Sequence, residues 1–274
     1  MKLFKNLLDK LSVERLKMAL MKTAYGNQDT FLAKLDPRAL IIWYLIFAIL
    51  PWFFFNKTIL SGLLLFMIGM AVVAKVSRLI IFLLTMSTVA ELGSVFIVTF
   101  FFGGGLEGFT SLLTITLKLV IIAVASIAVF TSIDPEEFSE ALLSFGISER
   151  YSFGVSYGYR VLPLLFEEYN DIFNSFRLRG KTPENKGFLG WRYIYYLIKI
   201  TVLGFYPMVL NVAKRTRTTV EALEVKGFTN SMNNKKVKEL KLAKMEIGWQ
   251  EVSFIIASLL LVVVIVKVGQ VYPL

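Results

Sequence analysis

The chain has 274 residues, 56% of them hydrophobic and only 18% charged, with a mean hydropathy of +0.65. Such a composition points to a membrane protein. Neither cysteine nor histidine is present, which excludes disulfides, thiolate nucleophiles, imidazole bases and Cys/His metal sites. The formal charge of +10 concentrates in 1–38 and 132–248, on the flanks of apolar runs.

From Lys2 to Lys22, Leu3, Leu7, Leu8, Leu11 and Leu16 recur at roughly helical spacing between Lys5, Lys10, Arg15 and Lys17. This predicts an amphipathic interfacial helix. A signal peptide is not expected, because charge interrupts the apolar core and no small-residue cleavage pattern follows.

Apolar runs then occupy 39–55, 59–74, 79–102, 109–131 and 249–272. They predict an all-α integral membrane protein with about five transmembrane helices. Residues 56–58 and 103–108 carry one lysine between them, whereas the N-terminal segment, the Lys75–Arg78 link and 132–248 are rich in Lys and Arg. The positive-inside rule therefore places the N-terminus in the cytoplasm. The expected organisation is an interfacial segment at 1–38, four spans in 39–131, a cytoplasmic region at 132–248 and a last span in 249–274.

Glu91 and Lys118 lie inside the third and fourth runs, nearly equidistant from Gly103-Gly104-Gly105. A helical hairpin would place them at similar depth, so an ion pair is expected. A structural pair fits better than an ion path, because the other spans offer no further relay groups.

Asp134-Pro135-Glu136-Glu137 has the form of a helix start, with Asp as N-cap, Pro at the first position and acids in the first turn. That helix stops at Gly146. A longer one follows from about Ser148 to Arg179, roughly 48 Å at 1.5 Å per residue, with a kink expected at Pro163. Its second half alternates Glu167, Glu168 and Asp171 with Leu165, Tyr169, Ile172 and Phe173.

The helix ends in Phe176-Arg177-Leu178-Arg179-Gly180. A second ending, Leu223-Glu224-Val225-Lys226-Gly227, repeats the pattern of cation then glycine. Taken singly, each is an ordinary helix stop, since the cation suits the negative helix end and glycine can adopt the left-handed cap. Gly180-Lys181-Thr182 is not a phosphate-binding loop, because the position five residues before Gly180 is Ser175 and a helix precedes it. No ATPase is expected within this chain.

Residues 188–206 are aromatic and apolar but contain Arg192 and Lys199, which predicts an interfacial or protein-packed helix, with a sixth span as the alternative. A further helix is expected from Pro207 to Lys226. The basic tract 235–244 suits anionic lipid headgroups better than nucleic acid, for which no binding module is present.

These features together resemble the transmembrane coupling subunit, or T component, of energy-coupling-factor importers of vitamins and metal ions, the EcfT/CbiQ family. The likeness runs from Leu35 onward. It rests on Leu35-Asp36-Pro37-Arg38, Asp134-Pro135-Glu136, Tyr159-Arg160-Val161-Leu162-Pro163-Leu164 and the two endings.

The resemblance implies a non-catalytic, cofactor-free, multi-pass subunit of the cell membrane with long cytoplasmic coupling helices. In that family, Ala-Arg-Gly-like motifs dock two ABC ATPase subunits; here the corresponding triplets are Leu178-Arg179-Gly180, preceded by Arg177, and Val225-Lys226-Gly227. Lysine in the second keeps the charge but loses the planar fork of arginine, so the two contacts are expected to be unequal. A small membrane-embedded S component would bind the substrate, and Leu165, Tyr169, Ile172 and Phe173 are expected to help hold it.

Two other readings set a contrast. A membrane-embedded enzyme would use the acids of 134–140, which the helix start already accounts for as caps. A self-contained secondary transporter would show inverted repeats and broken helices.

Overall fold

Side-chain caps fix three helix starts. Asp36 Oδ1 accepts from the Arg38 amide at 2.8 Å ahead of Pro37, Asn56 Oδ1 from the Thr58 amide at 2.9 Å, and Asp134 Oδ1 from the Glu136 amide at 2.9 Å ahead of Pro135. Each satisfies an amide that the first helical turn leaves without a partner.

A computed structural model describes residues 30–101, 103, 105–180, 191–232 and 248–272. The helix expected at 2–22, Lys181 and Thr182, and the basic tract 235–244 lie outside the described residues. The helices are α1 Pro37–Ile49, α2 Lys57–Val73, α3 Arg78–Phe101, α4 Gly105–Phe130, α5 Pro135–Ser144, α6 Glu149–Arg179, α7 Trp191–Val225, α8 Phe228–Met232 and α9 Trp249–Val271. Short 3-10 turns occupy Leu32–Lys34 and Leu50–Phe53, and no strand occurs among the described residues. The protein is an all-α membrane protein.

Helices α3, α4, α7 and α9 are long and apolar enough to cross a bilayer, whereas Pro37–Phe53 and α2 are shorter apolar stretches. The five expected runs are therefore all helical, and α7 is an additional candidate span.

The chain divides into two compact units. One holds α1 to α5 with α9, and the other holds α6 to α8. In the first, α4 is central and packs on α1, α2 and α3. Ile121, Ala125, Ala128 and Val129 of α4 are buried in one core with Leu40, Trp43 and Phe47 of α1 and Leu60, Leu63 and Met67 of α2. Helix α5 packs on α1, and Phe138 meets Phe130 edge to face, so the helix that begins at Asp134 belongs with the spans.

Partial burial, reinforced by the nearby carboxylates of Asp134, Glu140 and Asp36, holds the Glu137 carboxyl above the ordinary carboxylate range. A carboxyl raised on folding favours the folded state below its unfolded pKa and loses that advantage as pH rises through its folded value. Glu137→Gln is therefore expected to melt slightly higher than the parent at pH 7 and no higher at pH 4. The gain should stay within about 0.5 kcal/mol, the range of exposed substitutions.

In the second unit, α6 and α7 form an antiparallel pair. The Tyr157 hydroxyl donates to Thr219 at 3.2 Å, Glu168 lies 3.8 Å from Arg215, and Tyr169 and Ile172 stand against Gly204. Both helices run through an internal proline, Pro163 in α6 and Pro207 in α7. The separate helix expected from Pro207 is thus the continuation of the aromatic one. A proline costs one backbone hydrogen bond, and packing along a long partner helix outweighs that loss.

Candidate coupling-helix termini

The first ending closes α6. Arg177, Leu178 and Arg179 are exposed, Leu178 to 87%, and the Gly180 amide donates to the Phe176 carbonyl at 2.8 Å. Gly180 has φ −81° and ψ 138°, so it is extended, not left-handed as its cap pattern predicts. Its need for glycine is steric. A Cβ there would stand 2.6 Å from the Tyr196 hydroxyl of α7 and 3.0 Å from the Phe176 carbonyl oxygen.

Gly180→Ala is accordingly expected to fray the last turn of α6 by about 1 kcal/mol, the low end of overpacking costs. Faster hydrogen exchange at amides 176–180 is the readout. Adding Tyr196→Phe, which removes the crowding oxygen, should restore most of the protection.

The second ending closes α7 in the way the sequence predicts. Gly227 has φ +76°, and its amide donates to the Glu224 carbonyl at 2.9 Å. Val225 is 90% exposed and Lys226 is exposed beside it. The chain then enters α8, where the Phe228 ring packs on Phe153 with centroids 4.5 Å apart and the Thr229 hydroxyl donates to Glu224. These contacts tie the second ending to the start of α6.

Because the pair is antiparallel, the two endings occupy opposite ends of it. Gly180 lies against Tyr196 near the start of α7, and Phe228 lies against Phe153 near the start of α6. At 1.5 Å per residue the helix length between them is about 45 Å. The side chains of Arg177, Arg179 and Lys226 have no hydrogen bond or ion pair with another described residue. Each end of the pair thus presents a cation beside an uncovered apolar side chain.

The profile of a family described as cobalt transport protein, CbiQ, matches residues 28–237. This chain belongs to the CbiQ family. The match begins just before α1 and continues past α8, so it includes both endings and most of the transmembrane unit. No curated protein matches the chain. Membership makes this member a transport protein, in keeping with its apolar helices.

The other expected site residues fall as follows. Leu165, Tyr169, Ile172 and Phe173 are all half-buried on α6. Tyr169 and Ile172 point into the seam with α7, where the Tyr169 hydroxyl donates to the Thr201 carbonyl at 3.4 Å and Ile172 Cγ2 faces Gly204. Part of that surface is therefore spent within the helix pair.

Glu91 and Lys118 do not pair among the described residues. Lys118 is buried to 2% exposure, and its Nζ stands 3.9 Å from the centroid of Phe55 and 5.6 Å from that of Trp52. Equal spacing from a turn sets depth but not azimuth. Lys118 lies on the same stripe of α4 as Ile121 and Ala125, which faces the core shared with α1 and α2, and the rings hold its charge by a cation–π contact. Among the described residues no group of acidic side chains could hold a metal ion.

Sequence reasoning missed the junction between the first and last apolar helices of the transmembrane unit. Asp36 forms a two-pronged pair with Arg38, with Nη2 to Oδ2 at 2.8 Å, and its amide donates to Glu251 Oε1 of α9 at 3.4 Å. The signal was the Asp-Pro-Arg triplet, which reads as a cap and gives no hint of a distant carboxylate.

Proposed function

We propose that this chain is the transmembrane coupling subunit of an energy-coupling-factor importer. It carries ATP-driven movement from two ABC ATPase subunits to a small membrane-embedded subunit that captures a vitamin or metal ion such as cobalt. The observation that carries this reading is the arrangement of the two endings: two exposed cation-bearing termini at opposite ends of one antiparallel helix pair. Each suits a cleft on a separate partner, and the rigid length between them suits transmission of force. The chain itself performs no catalysis in this scheme, and its N-terminus lies in the cytoplasm.

Co-expression tests it. The intact chain should co-purify with two ATPases and one substrate-capturing subunit, and ATP hydrolysis should drive uptake in vesicles. Uptake by the purified chain alone, driven by an ion gradient, would instead make it a secondary transporter.

Of Leu165, Tyr169, Ile172 and Phe173, the two not assigned to the α7 seam, Leu165 and Phe173, are where the substrate-capturing subunit is expected to meet α6. Leu165→Asp with Phe173→Asp should reduce its recovery at least about tenfold, the effect of losing one strong interface contact, while ATPase recovery is retained. Unchanged recovery of that subunit would remove α6 from the interface.

A further inference from the structure

Helix α7 is apolar on two sides, and α6 covers only one of them. Ile200 and Gly204 are buried on the α6 side. On the opposite side Trp191, Tyr195, Ile198, Val202, Tyr206 and Val209 are all exposed, Val202 to 66% and Tyr206 to 71%. Their spacing of three or four residues draws them into one stripe along the first half of the helix.

Charge on α7 has one sign as far as Val220. From Trp191 to Val220 there is no acidic residue, while Arg192, Lys199, Lys214, Arg215 and Arg217 are present. Arg215 faces Glu168 and Arg217 faces Glu221. Arg192 and Lys199 are exposed, have no ion pair or hydrogen bond with another described residue, and lie seven residues apart, hence on one flank of the stripe.

We propose that the first half of α7 lies on the anionic cytoplasmic surface of the bilayer, with its stripe sunk to the level of the headgroups and Arg192 and Lys199 on lipid phosphates. Tryptophan and tyrosine favour that level, since each has an apolar body and a polar tip. Amphipathic helices of this composition bind in the plane of the interface, with affinity from both apolar area and anionic lipid.

The same stretch is long and apolar enough to span. A span, however, would bring Lys199 about 12 Å inward from Trp191, close to the hydrocarbon centre, where a charge without a partner is costly. In a helix lying in the surface both cations reach water and phosphate by extending their side chains. This inference is independent of the coupling role.

The absence of cysteine allows the test on the full chain. Single variants Tyr195→Cys, Ile198→Cys, Val202→Cys and Tyr206→Cys are each labelled with a nitroxide in nanodiscs. Thr218→Cys, exposed on the second half of α7, is the water-accessible control. The discs hold either phosphatidylcholine alone or phosphatidylcholine with a minor share of phosphatidylglycerol.

Power saturation with oxygen and with a water-soluble nickel chelate reports depth. The expected result is one shallow depth for all four labels in the anionic discs. Nickel access should increase in neutral discs, and Arg192→Gln with Lys199→Gln should abolish that difference. A depth that peaks at Ile198 and Val202 would make α7 a span and overturn the proposal. So would nickel access in both lipids, or the same shallow depth in both. Labels shielded from both reagents would mean that a protein partner covers the stripe, which also overturns it.

Discussion

The Arg179→Ala, Lys226→Ala double variant, co-expressed with its ATPases, is expected to insert and fold normally yet lose both ATPases and all measurable ATP-driven uptake. As helix caps, these cations contribute only about 0.3–1 kcal/mol each through the helix dipole. Neither side chain has a hydrogen bond or ion pair with another described residue, so stability should change little. As docking groups that become buried in a partner's cleft, each should be worth about 2–5 kcal/mol of association.

With about 45 Å of helix between them, the two losses should add. The singles should differ. Arg179→Ala removes a fork that can hold a carboxylate with two bonds, whereas Lys226→Ala removes a point charge, so Arg179→Ala should weaken retention more and Lys226→Arg should strengthen it. Recovery of both ATPases with the double variant, at wild-type uptake, would reduce the two endings to helix stops.

Much of this arrangement was legible because it depends on local chemistry. Ser148 before Glu149 and Gly180 after Arg179 bound α6 at the residues where it begins and ends. Gly227 takes the left-handed conformation that its position demands.

Gly180 was legible in position but not in cause, since Tyr196 crowds it from another helix and spacing within α6 carries no trace of that. Pro207 misled because a proline disfavours a helix locally, whereas the seam with α6 extends on both sides of it. The pairing of Glu91 with Lys118 failed for a reason already in the sequence. Lys118 continues the stripe of Ile121 and Ala125, so periodicity turns it toward the core while counting from the turn supplies only depth. The Phe55 and Trp52 rings that receive it come from a loop over sixty residues earlier, which no local pattern connects to α4.

Gly269→Ala is expected to be among the most damaging single-methyl changes in the transmembrane unit. Helices α2 and α9 approach so closely that a Cβ at Gly269 would overlap Ile59 Cγ1 and come within 3.3 Å of the Ile59 amide nitrogen, while a Cβ at Gly62 would stand 2.7 Å from Ile265 Cγ2. Ile59 is buried and β-branched, so one rotamer dominates in a helix and it has no room to swing aside.

The helices must then separate. Separation sacrifices the bonds that seal their ends, from Asn56 Nδ2 to the Gly269 carbonyl at 2.7 Å and from the Thr58 hydroxyl to the Tyr272 carbonyl at 2.8 Å. Between apolar helices in a bilayer, close packing at small residues is what holds them together. Gly269→Ala should cost about 1–3 kcal/mol and Gly269→Leu more, measured as thermal midpoint in detergent. Ile59→Ala alone should cost about 2–5 kcal/mol through its cavity. With Gly269→Ala added, the new methyl occupies part of that cavity, so the double variant should be more stable than the sum of the two losses predicts. A neutral Gly269→Ala, or strict additivity, would mean that the two helices meet elsewhere.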